Sequence, residues 1–296
     1  MPELPEVETI VRELHAHALE GATITRVVVR WPRTVVTLQP DAFSRTLLGR
    51  TVTKVSRRAK YIVLSLDTSE RLLIHLRMTG KLRMAPTTEA AGPHDHISLF
   101  LNDDRQLIFN DTRKFGRFFL VPANKDPFSH LGPEPLAANF TVPQLRQCLA
   151  NKKRQIKPLL LDQTIVAGLG NIYVDEALWH ARIHPERRAD TLTAPDLRRL
   201  HLAIREVLQC GIDHAGTTLG NGQTNFYSIA GTRGRNADAL KVFRRDGLPC
   251  PRCGTMLARI RVGQRGTHFC PHCQPQQSPL NNNILTRASK GENERG

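Results

Sequence analysis

Apolar residues at Val7, Ile10, Val11, Leu14 and Ala18 recur at three- and four-residue spacing, which predicts a helix over 5–20 with one buried face. Pro5 suits its first turn and Gly21 its end. From 22 to about 121 the pattern shortens to alternation or to continuous β-branched runs. "ATITRVVVRW", "YIVLSLD", "RLLIHLRM", "HISLFLND" and "QLIFND" are bounded by turn residues and read as strands. The prolines and glycine of "PFSHLGPEPLAAN", 127–139, predict a linker. Helical spacing then returns. "TVPQLRQCLANKK" opens on a capping threonine, and "TAPDLRRLHLAIREVLQCGI" opens on Thr193 and Asp196 with a proline in the first turn. The second of these places Leu197, Leu200, Ile204, Val207 and Leu208 on one face. Between them, "LLLDQTIVAGLGNIYVDEALWHARIHP" holds a helix-like run that breaks at Gly168 and Gly170 and resumes near Asn171. Strands first and helices after predict an α+β chain without internal repeats.

Length and charge narrow the possibilities. A chain of 296 residues suits two or three domains, and no run approaches eighteen consecutive apolar residues. Lys and Arg total 42 against 27 acids, a formal charge of +15, which favours a polyanionic partner: nucleic acid first, acidic membrane surface second. The opening "MPELPEVETI" is too acidic and too poor in apolar residues for a signal peptide, so a reducing cytosol is expected. Four of the six cysteines then stand out. Cys250 and Cys253, sixteen residues, then Cys270 and Cys273 have the spacing of a four-thiolate zinc ribbon, structural because four thiolates leave no place for a reactive water. Cys148 and Cys210 fall in helix-like segments and read as small core residues. The Gln-, Asn- and Ser-rich stretch 275–296 reads as a disordered tail.

The first residues also carry candidate chemistry. Methionine before proline is normally trimmed, which would leave Pro2 as a secondary amine. An α-amino group has a pKa of roughly 7.7–8.0, so a nucleophilic fraction exists at neutral pH and can form iminium intermediates. Glu3 beside it is a candidate proton carrier; Glu6 could do the same or simply favour the helix dipole.

Together, "PELPEVET", "RRAKY", "HLRMTG", "HDH", "DTRKFG", "HLGPEPL", "GLGNIYVDEAL" and "QRGTHFCPHCQ" resemble the bacterial formamidopyrimidine-DNA glycosylase family, in the family's order, from Pro2 to Gln274. The resemblance implies an N-terminal β-sandwich catalytic domain with flanking helices over 2–130 and a helical domain with a helix–two-turns–helix motif over 131–222. A lesion loop and zinc-ribbon β-hairpin would follow over 223–274. It implies a base-excision-repair enzyme that removes oxidised purines such as 8-oxoguanine and formamidopyrimidines and then cuts the strand by β- and δ-elimination. Pro2 would attack the sugar, Glu3 would donate the proton, Lys60 would assist the early steps, and Arg265 would bind phosphate during δ-elimination. Met78, Arg113 and Phe115 would fill the gap left by the extruded nucleotide. His75, His94, Lys152 and Asn171 would contact DNA, the last at a helix start whose preceding glycines leave backbone N–H groups pointing at an anion.

One structural zinc, damaged double-stranded DNA as partner, no membrane, a monomer and a cytoplasmic, nucleoid-associated location complete the expectation. Two stretches depart from the family pattern. Asp111 and Thr112 stand where Asp-Pro is usual, which would relax that loop, and the Gly-, Asn- and Thr-rich stretch 217–247 does not align. Within it Thr217, Thr218 and Tyr227 could offer hydrogen bonds to a base. An endonuclease VIII-like enzyme for oxidised pyrimidines is the alternative within the fold, and a non-catalytic damage-binding protein the alternative outside it.

Overall fold

A computed structural model describes residues 2–220, 222 and 226–276. The tail expected from 275 lies, from 277 onward, outside the described residues. Helix α1 covers Leu4–Ala16, capped reciprocally by Glu3 and Glu6, the Glu3 N–H donating to Glu6 Oε2 at 2.8 Å. It stops short of the expected residue 20 because Ala18 turns the chain in left-handed backbone, φ 49°, and Leu19 folds back into the core.

The strands follow as β1 (Ile24–Val29), then helix α2 (Pro40–Leu47), β2 (Val52–Arg58), β3 (Tyr61–Leu66), β4 (Arg71–His75), β5 (Lys81–Pro86), β6 (Asp95–Leu101), β7 (Arg105–Asn110) and β8 (Arg117–Val121). Among the described residues they form two antiparallel four-stranded sheets, ordered β1-β6-β7-β5 and β2-β3-β4-β8. The five runs read from alternation include the central strands β3, β4, β6 and β7. Three strands outside those runs, β2, β5 and β8, are all sheet edges, where one backbone side is unpaired and charged residues or proline are tolerated. The register sets Ile62 against Ile74 and Leu64 against Leu72, so the apolar side of the second sheet is continuous.

Helices α3 (Val142–Leu149), α4 (Ile156–Leu161), α5 (Asn171–Ala181) and α6 (Ala194–Asp213) come next, and the hairpin β9 (Ala258–Val262) and β10 (Arg265–Phe269) closes the described chain. The helical break precedes Gly168: α4 ends at Leu161, and 162–170 is a turn held by Asp162 and Gln163. The capping box of Thr193 and Asp196 starts α6, and the five residues expected on its inner face are all buried. Cys148 and Cys210, expected in the core, are only partly buried: Cys148 lies at the margin of the helical core and Cys210 packs beside His214 and Asn236.

Two main cores result. Val7, Ile10, Val11 and Leu14 of α1 enter the one between the sheets; Leu4 of the same helix enters the one among α3–α6. The first turn of α1 is therefore the seam, and residues 2–6 sit where the two halves meet. Among the described residues no helix is long and apolar enough to cross a membrane.

Candidate active site

Pro2 is buried at that seam, and Glu3 is only 3% exposed. The first N–H groups of a helix lack intrahelical acceptors and attract an anion. At α5 that anion is Glu3: the Ile172 N–H donates to Oε1 at 3.0 Å and the Tyr173 N–H to Oε2 at 3.5 Å. Two N–H groups at the start of α5 are thus engaged with a carboxylate of the protein, and the Gly168 N–H with Gln163 Oε1 at 2.9 Å. Gly170 is what admits the carboxylate, because a Cβ there would stand 2.3 Å from the Glu3 carboxyl carbon.

Lys60 reaches the same stretch from the other side. Its ammonium, nearly buried, donates to the Leu169 carbonyl at 2.6 Å. The tight turn that carries it places Ala59 at φ 52°, and Glu134 fixes that turn. Glu134 accepts from Arg57 at 2.9 Å, from Arg58 at 2.8 Å and from the Ala59 N–H. Burial pushes the Glu3 carboxyl up to about 7, against the pull of the Lys60 charge and with a push from Glu6. Burial likewise lowers Lys60, and the charges of Glu3 and Glu6 oppose that shift. Glu3 can therefore gain or lose a proton near neutrality, a property an acid–base group requires.

Glu6 has a different employment. Its oxygens accept from the Glu3 N–H, the Thr217 N–H and the Tyr173 hydroxyl, each at 2.8 Å. Of the two readings of Glu6, proton carrier or helix-terminus stabiliser, this geometry fits the second, and it extends it by tying α1 to residue 217. Thr217 Oγ1 lies 3.0 Å from the Tyr173 hydroxyl and accepts from Asn236 at 2.9 Å. Thr218 donates to the Phe226 carbonyl and accepts from the Gly234 N–H. Both threonines are engaged within the protein rather than presented to a base. Tyr227 is half-buried, with the Lys81 ammonium 4.7 Å from its ring centre.

Met78 and Phe115 are exposed by 38% and 44%, which removes them from the core, and the Arg113 guanidinium lies 4.8 Å over the Phe115 ring. The turn behind them is pinned despite the absent proline. Buried Asp111 accepts the Gly116 N–H at 2.7 Å, the Arg113 N–H at 3.2 Å and the Thr79 hydroxyl. A relaxed loop is therefore not what the Asp111 and Thr112 departure produces.

His75 is buried, with its pKa held down to about 3 by desolvation and by the Arg77 and Lys60 charges. Its Nδ1 accepts the Arg77 N–H at 3.0 Å, so it is a neutral, oriented ring rather than a cation for phosphate. His94 is exposed and Lys152 half-buried, both away from the Glu3 node's hydrogen bonds. Within "HDH", Asp95 pairs with Arg83 at 2.9 Å and His96 with the Asp111 carbonyl at 2.8 Å. These contacts use both groups structurally.

The four cysteines converge, with all Sγ atoms within 4.8 Å of one another, Cys250 and Cys273 at 4.0 Å and Cys253 and Cys270 at 3.5 Å. A tetrahedral zinc with Zn–S near 2.3 Å would space its sulfurs about 3.8 Å apart, so the set fits one structural zinc. Arg265 is exposed at the start of β10. The Asn171 side-chain amide donates to the neighbouring Gly266 carbonyl at 3.0 Å, which fastens the hairpin to α5.

Sequence reasoning passed over Tyr173, Glu134, Lys157 and Asp175. A signal existed for the last two: each interrupts an otherwise apolar helical stretch, and both are completely buried in an ion pair of 2.6 Å. The contacts of Tyr173 and Glu134 join distant parts of the chain and leave no local mark.

Comparison with known proteins gives a consistent picture. The Formamidopyrimidine-DNA glycosylase N-terminal domain model matches residues 1–118, the Formamidopyrimidine-DNA glycosylase H2TH domain model 131–222, and the zinc finger found in FPG and IleRS 247–276. The formamidopyrimidine-DNA glycosylase of Protochlamydia amoebophila is 43% identical, over 93% of this chain and 99% of its own. That of Roseiflexus is 46% identical, over 93% and 100%. Among solved structures, the Lactococcus lactis FPG in complex with Fapy-dG-containing DNA superposes with a TM-score of 0.85 at 40% identity. The same enzyme with abasic-site DNA gives 0.85 at 39%; each alignment covers 93% of this chain and 100% of that one.

Proposed function

The chain belongs to the formamidopyrimidine-DNA glycosylase family, and from that premise we propose how its own residues excise an oxidised purine and cut the strand. It is a DNA-binding glycosylase of base-excision repair with one structural zinc. The Pro2 nitrogen attacks C1′ of the extruded nucleotide. The glycosidic bond breaks, the base leaves with its electron pair and takes up a proton, and the sugar ring oxygen receives the proton of Glu3 as the ring opens to an iminium. Loss of a C2′ proton then breaks the C3′–O bond, a second elimination breaks the C5′–O bond, and water releases the sugar fragment from Pro2.

The observation that carries this reading is Glu3: a carboxyl with a pKa near 7, on the N–H groups of α5, one residue from the nucleophile and within the field of Lys60. Lys60, with its pKa lowered, shuttles the protons of the early steps. Met78, Arg113 and Phe115 are the groups that enter the duplex, and Arg265 with Asn171 holds the phosphate beside the lesion. Residues 2–130 form the catalytic unit, 131–222 the helical unit, and 223–274 the lesion loop and ribbon. All of these groups belong to one chain, so a monomer suffices, working on the cytoplasmic nucleoid.

Borohydride added during reaction with duplexes carrying a formamidopyrimidine, 8-oxoguanine or an oxidised pyrimidine tests this. Trapping of the protein on the two purine lesions, with β- and δ-products on a sequencing gel, is expected. A complex formed on the pyrimidine lesion alone, or on none, overturns the reading.

A further inference from the structure

The zinc hairpin meets α5 through a buried charge cluster that the chemistry above leaves unused. Lys157 of α4 has its ammonium 2.6 Å from Asp175 Oδ1 and donates to the Gly266 carbonyl at 3.1 Å. The other oxygen of Asp175 accepts the His268 N–H at 2.9 Å and lies 3.1 Å from His268 Nδ1. One helical turn earlier, Asn171 donates to that same Gly266 carbonyl. Asp175 thus grips β10 at residue 268 directly and at residue 266 through Lys157. Gly266 directly follows Arg265.

A two-stranded hairpin has little stability of its own, so its placement depends on what it is fastened to. A buried ion pair is also a poor choice for stability alone, since apolar residues of similar volume usually do as well or better. What a fixed pair of charges does supply is direction. We propose that Asp175 is a positioning residue: through Lys157 and His268 it sets the hairpin's height over α5, so that Arg265 and Asn171 close on one phosphate and the second elimination proceeds. The inference rests on the role given to Arg265 above. Asp175 touches no substrate and acts only through β10.

The test compares wild type with Asp175→Asn, which keeps an acceptor for the His268 N–H but cannot pair with Lys157, and with the double variant Lys157→Met/Asp175→Leu, which leaves no charge buried alone. Zinc content, borohydride trapping on an abasic duplex and the ratio of δ- to β-product are measured on each. A full zinc complement, trapping within about two-fold of wild type and a δ:β ratio lowered by up to about 10²-fold are expected, the scale a misplacement of about 1 Å produces.

A zinc-bound Asp175→Asn protein with an unchanged ratio overturns the proposal. So does an equal fall in trapping and ratio, and so does failure of both variants to fold, because the cluster would then be holding the domain together. If wild type itself is not trapped, it is the functional reading that falls. If wild type is trapped and the variants match it, only this inference does.

Discussion

Two buried lysine–carboxylate pairs flank the first turn of α5 and end in opposite states. Lys157 and Asp175 touch at 2.6 Å, each compensating the other's charge. Lys60 and Glu3 are held apart by backbone: the lysine is directed at the Leu169 carbonyl, the carboxylate at the Ile172 and Tyr173 N–H groups, and they interact through space. Contact gives the first pair a fixed geometry. Separation in a dry site gives the second a carboxyl that titrates near 7. A lysine and a carboxylate therefore form a direct ion pair in one place and, in the other, a through-space couple whose carboxyl is raised, and the difference lies in the few backbone atoms between them.

Removing zinc is the largest perturbation of this contrast, because binding to such ribbons supplies roughly 10–16 kcal/mol of apparent free energy. Chelation should unfold the hairpin, wet the Lys157–Asp175 pair and spare the Glu3–Lys60 one. Limited proteolysis would then cut within 247–276, and cuts spread evenly through the chain would contradict it. Next is Glu3→Gln, which should slow base excision by about 10²–10⁴-fold in single-turnover assays, the usual scale for losing a general acid. A rate near wild type would mean that the couple carries no proton.

Asp175→Leu alone should destabilise the protein by about 3–5 kcal/mol in denaturant titration, since it strands the Lys157 ammonium in the core, and the double change with Lys157→Met should recover most of that. A smaller effect follows from pH. The folded state holds the Glu3 proton more tightly than the unfolded chain, whose value is near 4.5, so stability from this group is fully present below 4.5 and lost as pH rises through about 7. The slope is at most about 1.4 kcal/mol per pH unit and should vanish in Glu3→Gln, as followed by thermal melting across that range. Smallest is Phe115→Ala, expected to weaken binding to a duplex with an abasic analogue by about 1–3 kcal/mol, since the ring's stacking surface is lost. Equal affinity would show that the exposed ring does not enter the base stack.

Much of this architecture was legible in the residues. The zinc quartet is a local spacing, the α6 boundary is a capping box four residues long, and the central strands β3, β4, β6 and β7 carry short apolar or alternating runs. Edge strands β2 and β5 were harder to see, because a strand paired on one side has no need of such a run, whereas edge strand β8 was passed over although it carries one, Phe118–Val121. The site divided in the same way. Family-like motifs marked Pro2, Glu3 and Lys60, but the roles of Glu6, Thr217 and Thr218 emerged only from their partners, Glu6 being 211 positions from the N–H it accepts.

What the sequence by itself determined is whatever near neighbours decide: caps, turns, metal spacing, the apolar faces of helices and the excess of positive charge. Only the tertiary structure decided that Glu3 would lie on α5, 169 positions away, in space that Gly170 leaves open, and that Asp175 would meet Lys157. The reason is physical. A carboxylate's pKa and a lysine's partner depend on how much water packing removes and which dipoles it brings within a few ångströms, and neither quantity exists until distant segments have met.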